Sequence, residues 1–322
     1  MNKLLVICGP TATGKTRLGI ELAQKFNGEI VSADSRQIYR GMDIITGKDL
    51  PADAKFRKNK ESIIGYYEIN KILFWMLDIV EPDQKFSAAD YYSLAWNVIK
   101  DIWRRKKLPI VVGGTCFYIK ALLEGIETIG VGPDWQLRKR LSSYSVNALT
   151  EELKRIDQKK WESMNESDKR NPRRLIRAIE LAMAKKQGIR KEIPKKIMKL
   201  NSLLIGLTAP NKVLYQRIDQ RVDERVVAGA QKEVEDLLKK GYNWDNSVLG
   251  ETIGYREWRD FFEGKVAKEE AIVRWKFDEH AYARRQMTFL KKLILEHKGR
   301  LFNIVNENYK EEVENLIKDW YI

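Results

Sequence analysis

A short glycine-containing loop near the start of the chain limits its fold more than any other feature. Residues 9–16, Gly-Pro-Thr-Ala-Thr-Gly-Lys-Thr, fit the pattern G-x-x-x-x-G-K-[ST] at every fixed position. An apolar run at residues 4–7 precedes the loop, and apolar side chains at helical spacing follow it over residues 17–26. The sequence therefore predicts a buried strand, a phosphate-binding loop and a helix. A tight turn that binds no ligand is the alternative.

The residue types of this loop suit phosphate binding. Gly9 and Gly14 let the backbone turn so that successive N–H groups point at phosphate oxygens, beside the positive end of a helix. Lys15 can neutralise phosphate charge, and the hydroxyl of Thr16 can bind Mg²⁺. The loop alone does not identify the molecule whose phosphates it binds.

The composition is that of a globular chain with one large domain or two. Of its 322 residues, 43% are hydrophobic and 32% are charged. No apolar run approaches the ~20 residues of a membrane span, and residues 1–3 lead directly into the first strand, so we expect no signal peptide. Two cysteines and two histidines cannot build a disulfide framework or a Cys/His zinc site. We expect a cytoplasmic protein with no membrane partner.

The positive charge is concentrated in one segment. The chain has a net charge of +14, and residues 138–199 contain 19 Lys and Arg against 8 Asp and Glu, which is +11 of the total. Such a concentration is typical of a surface that binds a polyanion such as nucleic acid. A solvated basic face is the alternative for any single cluster within it.

Two further strands are predicted to deliver polar residues to the edge of a sheet. Residues 29–33 end at Asp34, and residues 108–112 end at Gly113, Gly114 and Thr115. Ligands bind at the carboxyl ends of strands in open α/β sheets, so we expect Asp34 and Thr115 in the same crevice as Lys15. A helix cap for Asp34 and a tight strand-to-helix turn for the glycines are the alternatives.

A predicted hairpin keeps a second enzyme class open. Residues 66–69 and 72–77 form two apolar strands joined at Asn70 and Lys71, and the second strand ends at Asp78. An apolar strand that ends in an Mg²⁺-binding Asp is found in nucleotide hydrolases. This pattern keeps a P-loop small-molecule kinase or ATPase as an alternative.

The middle of the chain changes to a purely helical pattern. After a linker at residues 130–133, about four helices are predicted before residue 188, and a strand returns at residues 202–207. We predict an α/β fold with a P-loop NTPase-like parallel sheet, flanking helices and an inserted all-helical domain. The predicted divisions are a catalytic core at 1–130, a helical insertion at 131–200, and core completion with C-terminal helices at 201–322.

Two arginine groups lie on predicted helices. Arg173, Arg174 and Arg177 follow Pro172 at the start of a helix and are suited to phosphate contacts. A later helix carries Arg217, Arg221 and Arg225 at four-residue spacing; a salt-bridged surface face is the alternative there, since acidic residues are interleaved.

Four motifs occur in a fixed order: the loop at residues 9–16, Asp-Ser-Arg-Gln-Ile-Tyr-Arg-Gly-Met-Asp-Ile at 34–44, Gly-Gly-Thr-Cys-Phe-Tyr at 113–118 and Ile-Gly-Tyr-Arg-Glu at 253–257. In this combination the chain resembles the tRNA dimethylallyltransferase (tRNA isopentenyltransferase) family of bacterial type, to about residue 292. The resemblance implies transfer of a dimethylallyl group from dimethylallyl diphosphate to N6 of the adenosine just 3′ of the anticodon in tRNA. Diphosphate is released, and Mg²⁺ assists.

The resemblance also implies roles for residues at matching positions. Asp34 becomes the general base, which agrees with the chemistry because the N6 amine is a poor nucleophile that must lose a proton. Thr115 would hold N6, and Arg221 would assist the leaving diphosphate. The predicted diphosphate ligands are Gly9, Thr11, Ala12, Thr13, Gly14, Lys15, Thr16 and Arg217, with Thr16 also on the metal. The predicted tRNA contacts are Asp34, Ser35, Arg36, Gln37, Arg138, Arg173, Arg174, Leu175, Ile176, Arg177, Gly254, Tyr255, Arg284 and Arg285.

The target base is expected to leave its stack and enter a channel, where Tyr39, Phe117 and Tyr255 could stack on bases.

The chain departs from the family at three places, where Phe74-Trp75, Cys116-Phe117 and Glu279-His280 replace His residues, Gly-Leu and Thr-Arg. The first two could alter the pocket, and the third removes one cationic contact. Besides the kinase, an adenylate (AMP or ATP) isopentenyltransferase and a nonenzymatic RNA-binding module are the alternatives. We expect a monomer.

Overall fold

The computed structural model describes residues 2–51, 54–58, 64–125, 131–188 and 200–321. Within these ranges the strands are β1 (Lys3–Cys8), β2 (Gly28–Ser32), β3 (Lys55–Arg57), β4 (Tyr66–Ile69), β5 (Ile72–Trp75), β6 (Leu108–Gly113), β7 (Asn201–Thr208) and β8 (Arg300–Asn303). The α-helices are α1 (Lys15–Lys25), α2 (Ala88–Arg104), α3 (Cys116–Glu124), α4 (Trp135–Leu141), α5 (Val146–Glu162), α6 (Glu166–Lys169), α7 (Pro172–Lys186), α8 (Asn211–Val227), α9 (Ala230–Lys239), α10 (Arg259–Phe262), α11 (Lys268–Glu296) and α12 (Tyr309–Tyr321). Two short 3-10 helices span Val248–Glu251 and Arg256–Trp258.

The chain divides into two compact units, one of Met1–Leu123 with Lys199–Ile322 and one of Glu124–Met198. The first unit contains a single sheet in the order β3-β4-β5-β2-β6-β1-β7-β8. From β5 to β8 all neighbouring strands are parallel, and β4 and β3 add an antiparallel edge. The predicted α/β fold with a mainly parallel sheet and an inserted helical segment is confirmed.

The strand order brings the predicted loops together. β6 pairs with both β1 and β2, so the chain segments that follow these three strands emerge at the same edge of the sheet. Both faces of the sheet are covered: Leu4 and Val6 of β1 pack with α2, α3 and α11, whereas Leu5 and Ile7 pack with α1, α12 and the start of α8. Burial on both faces explains why these strands are continuous apolar runs in the sequence.

A third apolar cluster lies around residues 38–45, α8, α9 and α11, with Ile38, Met42 and Trp275 fully buried in it. Glu233 of α9 holds the adjoining loop, because its carboxylate accepts hydrogen bonds from the backbone N–H groups of Asp43, Ile44 and Ile45 at 2.7, 2.6 and 3.1 Å. These contacts fix the path of the chain from residue 43 to residue 47, which borders the candidate site.

The predicted hairpin is present, with Asn70 and Lys71 both at positive φ in its two-residue turn. Asp78, after β5, does not support the kinase interpretation. Its carboxylate pairs with the fully buried side chain of Lys48 and accepts a hydrogen bond from the hydroxyl of Tyr67 at 2.5 Å. In addition, β2 and β6 lie between β5 and β1. The interpretation of Asp78 as an Mg²⁺ ligand is therefore corrected: it is half of a buried ion pair.

The second unit is helical in its described part, residues 124–125 and 131–188. Asn171 caps α7 by accepting from the N–H of Arg174 at 3.3 Å, and Pro172 occupies the first turn as predicted. Leu175 and Ile176, predicted as tRNA contacts, are buried with Leu137, Leu149 and other residues in the core of this unit. Their side chains hold the helices together, and this part of the prediction is corrected.

A buried carboxylate organises the basic side of this unit. Glu180 is 2% exposed and accepts hydrogen bonds from Arg138 at 2.8 and 3.0 Å, from Arg177, and from the N–H of Asp134. Burial alone would raise the pKa of Glu180, but the hydrogen bonds from the two arginines lower it. Arg138 and Arg177 therefore compensate a buried charge within the insertion.

We predict that Lys48→Met destabilises the protein by about 3–5 kcal/mol, because it leaves the Asp78 carboxylate buried without its cation. Urea unfolding followed by tryptophan fluorescence measures the change. The matched control is Arg17→Ala, which removes a pair with Glu21 whose side chains are 81% and 39% exposed and should cost less than ~1 kcal/mol. Equal stability of Lys48→Met and the wild type would contradict the assignment.

Candidate active site

One cavity of about 610 Å³ lies in the first unit at the carboxyl edge of the central strands. Its lining contains residues from all the loops that the sequence predicted to meet. The predicted site residues that line it are Thr11, Ala12, Gly14, Lys15, Thr16, Asp34, Ser35, Arg36, Gln37, Arg217, Arg221 and Arg285. The cavity thus joins the phosphate-binding loop, the residues after β2 and one face of α8.

The phosphate-binding loop has the geometry that its glycines predict. Gly14 precedes α1 at a φ of 77°, a conformation that side chains with a Cβ rarely adopt. Gly9 packs against β7 so closely that a Cβ there would lie 2.6 Å from the carbonyl oxygen of Leu207. Inside the loop, the hydroxyl of Thr13 donates to the carbonyl of Pro10 at 2.8 Å, so Thr13 supports the loop from within.

Lys15 is the half-buried cation of this loop. Its ammonium donates to the carbonyl oxygen of Pro10 at 2.6 Å. Burial and, after it, the nearby positive charge of Arg221 lower the pKa of Lys15 to about 8. An anion bound in the loop would oppose both effects, so Lys15 is poised to hold a strongly charged phosphate ligand.

Asp34 and Thr115 are brought together by backbone hydrogen bonds between the ends of β2 and β6. Ala33 donates its N–H to Val112 at 2.8 Å, and Thr115 donates its N–H to Ala33 at 3.1 Å. Gly113 permits this approach, since a Cβ there would lie 2.2 Å from the carbonyl oxygen of Ala33. The hydroxyl of Thr115 then accepts from the N–H of Ser35 at 3.0 Å. Thr115 therefore lies directly beside the Asp34 loop, but it does not itself line the cavity, which Gly113 and Gly114 of the same turn do, so this part of the prediction is corrected.

Asp34 does not cap a helix. One oxygen of its carboxylate accepts from the N–H of Arg36 at 2.9 Å, which makes a local turn, and no helix follows in residues 35–47 of the structure. The carboxylate also lines the cavity. The turn fixes the orientation of Asp34 and leaves its second oxygen for a ligand.

Gln286 of α11 connects two of the loops and was missed by the sequence analysis. It is 6% exposed, accepts from the N–H of Thr11 at 3.0 Å and donates to the carbonyl of Gly114 at 3.0 Å. One side chain thus sets the spacing between the phosphate-binding loop and the Gly113–Thr115 turn. Gln286 directly follows Arg284 and Arg285 in the sequence, but a partner 275 positions away cannot be predicted from local spacing.

The three arginines of α8 lie on one face of the helix, as predicted, and become more buried along it. Arg217 is exposed, the side chain of Arg221 is 31% exposed, and that of Arg225 is 12% exposed. Arg221 donates to the carboxylate of Asp49 at 2.9 Å. All three line the cavity, so this face of α8 is part of the site. The four-residue spacing places Arg225 on this face but predicts no role for it.

Several predicted tRNA contacts have structural roles instead. Gly254 and Tyr255 are buried, and the Tyr255 hydroxyl donates to Glu233 at 2.5 Å, so neither offers a surface to a base. Tyr39 is only 5% exposed, whereas Phe117 is 52% exposed and can stack on a base. Gln37 lines the cavity but donates to the carbonyl of Gly47 at 2.9 Å. The two aromatic stacking predictions for Tyr39 and Tyr255 are therefore corrected.

Arg284 and Arg285 differ from each other. Arg285 is exposed and lines the cavity, but Arg284 does not line it and donates to the hydroxyl of Tyr215 at 2.8 Å.

Ile253 and Arg256, on either side of the buried Gly254 and Tyr255, do line the cavity. The fourth motif thus contributes to the site through residues that the sequence analysis did not select.

The three departures from the family pattern have different consequences. Phe74 and Trp75 lie in the core of the sheet and do not line the cavity, so the expectation that they reshape the pocket is wrong. Burial raises the pKa of Cys116 to about 11, which keeps this thiol neutral. His280 stacks on Tyr215 and contacts Asp219 at 2.8 Å outside the cavity. Glu279 alone among these residues lines the cavity.

Comparison with known proteins identifies the family. The sequence profile described as IPP transferase matches residues 37–293, and one described as Isopentenyl transferase matches residues 2–70. The chain is 42% identical to a tRNA dimethylallyltransferase from Roseiflexus sp. (strain RS-1) over 91% of both chains. The chain belongs to the IPP transferase family.

Solved structures agree with this membership. A full-length tRNA isopentenylpyrophosphate transferase from Bacillus halodurans is 33% identical, with a TM-score of 0.68 over 99% of this chain and 97% of that chain. A eukaryotic dimethylallyltransferase acting on tRNA is 25% identical, with a TM-score of 0.74 over 98% of this chain and 78% of that chain. Membership in the IPP transferase family favours prenyl transfer over the kinase and the RNA-binding module.

We predict that kcat/KM for a diphosphate substrate falls as the pH rises through about 8, because Lys15 loses its positive charge there. A pH profile between 6 and 10 measures this. At high pH the logarithm of kcat/KM should fall by about one per pH unit, as for the loss of one proton. Arg221→Gln should move the break to higher pH, since it removes the neighbouring charge that helps to lower the pKa of Lys15. A flat profile to pH 10 would show that Lys15 keeps its proton throughout.

Proposed function

We propose that this protein transfers a dimethylallyl group from dimethylallyl diphosphate to N6 of the adenosine 3′-adjacent to the anticodon in tRNA, and that it releases diphosphate. The observation that carries the proposal is the cavity that joins the Lys15 loop, Asp34 and the α8 arginines. Close relatives of this chain have the name tRNA dimethylallyltransferase, which supports the choice of prenyl donor and tRNA acceptor.

The diphosphate of the donor would bind between the phosphate-binding loop and α8. Backbone N–H groups of the loop and the ammonium of Lys15 would contact its oxygens, with Arg217 at the exposed end of the cavity and Arg221 further in. Negative charge develops on the diphosphate as the allylic carbon–oxygen bond breaks. Fixed cations stabilise that charge more in the transition state than in the ground state, which is the requirement for catalysis.

Asp34 would act as the general base. As the new bond forms between N6 and the allylic carbon, N6 loses a proton, and the carboxylate oxygen that faces the cavity can accept it. The hydroxyl of Thr115 lies beside the Asp34 loop, 3.2 Å from the hydroxyl of Ser35. It would hold the N6 amine in position for attack on the allylic carbon. Atoms and charge balance: N6 gains the prenyl group, Asp34 gains the proton and diphosphate leaves.

We also propose that Mg²⁺ accompanies the diphosphate. The hydroxyl of Thr16 lines the cavity next to Lys15, and this donor suits Mg²⁺, which binds few protein oxygens and completes its shell with phosphate oxygens and water. When bound, the ion would neutralise charge on the leaving diphosphate. Removal of divalent ions with EDTA and their replacement test this part.

The helical insertion would bind the tRNA backbone. Its charge of +11 over residues 138–199 supports this, and Lys139, Arg140, Arg173 and Arg174 are exposed. Arg138 and Arg177 are held on Glu180, so we assign them a smaller share of the phosphate contacts than the sequence suggested. The target base would be extruded into the cavity.

We further propose that the enzyme is a monomer in the cytosol. Both cysteines are free and buried, as expected in a reducing compartment. Light scattering and cell fractionation test these two points.

We predict that tRNA is preferred to AMP as the acceptor. Labelled dimethylallyl diphosphate is supplied with unmodified tRNA or with AMP at equal concentration, and kcat/KM should be higher for tRNA. Arg173→Ala with Arg174→Ala should raise KM for tRNA and leave kcat nearly unchanged, because these residues lie on the insertion. A higher kcat/KM for AMP would make the adenylate isopentenyltransferase alternative correct.

We predict that Asp34→Asn lowers the single-turnover rate roughly 10²–10⁴-fold, the usual effect of losing a positioned base. The amide keeps an oxygen that can accept from the N–H of Arg36, so the loop should hold its shape. Diphosphate affinity, measured by calorimetry, serves as the control and should change little. Activity within threefold of the wild type would mean that Asp34 only stabilises its turn.

A further inference from the structure

Arg225 is the most buried of the α8 arginines, and its hydrogen-bonding capacity is poorly used. Its side chain is 12% exposed and lines the cavity, yet its Nε has no hydrogen-bond partner among the described residues. The carboxylate of Glu279 is its paired acid, at a distance of 3.9 Å that exceeds a hydrogen bond. Buried donors without acceptors cost free energy, and such groups in a cavity are typical of residues that bind a ligand.

Gly47 brings Arg225 next to Arg221. A Cβ on this residue would lie 2.2 Å from Nη2 of Arg225 and 2.9 Å from Nη2 of Arg221, so both guanidinium groups lie against the same glycine. Gly47 also has a positive φ of 62°. Two like charges in one buried place repel each other unless an anion lies near both. Their spacing suits a phosphate group, which accepts hydrogen bonds from several arginines at once.

Among the described residues Glu279 is the ion-pair partner of Arg225, and the charges of Asp49 and Asp34 also act on this guanidinium. Glu279 is 9% exposed, lies on α11 and also lines the cavity. Its carboxylate carries one negative charge, whereas a diphosphate carries more and offers more acceptor oxygens. A bound diphosphate would therefore compete with Glu279 for the same guanidinium.

We infer that Arg225 is a further diphosphate-binding residue, held by Glu279 between turnovers and transferred to the terminal phosphate when the donor binds. The inference rests on the proposed prenyl transfer and adds one residue to its donor site. Glu279 is then a positioning residue, because it acts through Arg225 and does not contact the substrate.

The test uses calorimetric titration of inorganic diphosphate into the full chain. The double variant Arg225→Met, Glu279→Thr removes both charges, so neither is left buried alone. We expect its diphosphate affinity to fall roughly 10- to 100-fold, as for the loss of charge-assisted hydrogen bonds. Arg274→Met, which removes an exposed arginine of α11 outside the cavity, is the matched control and should bind like the wild type.

A second variant separates ligand binding from a purely structural ion pair. Glu279→Gln removes the competing carboxylate and should tighten diphosphate binding several-fold, which a structural pair would not do. Unchanged affinity in both the double variant and Glu279→Gln would overturn the inference while leaving the proposed function intact. A wild-type protein that binds no diphosphate would overturn both.

Discussion

The parallel pairing of β6 with β1 on one side and β2 on the other is the constraint on which the site depends. Because parallel strands end at the same edge, the pairing places the Lys15 loop, Asp34 and Thr115 at one place although they are far apart in the chain. Backbone hydrogen bonds from Ala33 and Thr115 then close the remaining distance. Gln286 of α11 spans the last gap by bonding to both Thr11 and Gly114.

The cavity built on this frame is dominated by cations whose counter-charges lie close by. Arg221 forms an ion pair with Asp49, and Arg225 forms one with Glu279. Along this face of α8 the arginine side chains become less exposed from Arg217 to Arg225. Such a site holds positive charge in place before a ligand arrives, so little reorganisation is needed when a diphosphate binds or leaves. The same arrangement has a cost, since desolvation and, after it, the nearby positive charge of Arg221 lower the pKa of Lys15.

In the helical insertion, some of the basic residues neutralise a buried carboxylate of the insertion itself. Its excess of basic residues suits a polyanion, but part of that excess, Arg138 and Arg177, is half-buried and compensates the charge of the buried Glu180. Counting charges along the chain therefore overstates the number of cations that can meet a phosphate backbone. Arg173 and Arg174 at the start of α7 are among the cations that the fold leaves exposed.

The sequence by itself determined the features that depend on near neighbours in the chain. The loop between β1 and α1, the Asn70-Lys71 turn and the all-helical pattern of the insertion all follow from local spacing and conformational preference. The sequence also indicates the family, because four short motifs in one fixed order identify it even though each motif alone is weak evidence.

Only the tertiary structure decided which of those residues face a ligand. In the folded chain Tyr255, Leu175 and Ile176 are buried, and Asp78 forms an ion pair. Gln286, Arg225 and Glu279 line the cavity instead. The physical reason is that burial and partner choice are set by which helix and sheet faces meet. Those meetings join residues hundreds of positions apart, and no local pattern of residue types specifies them.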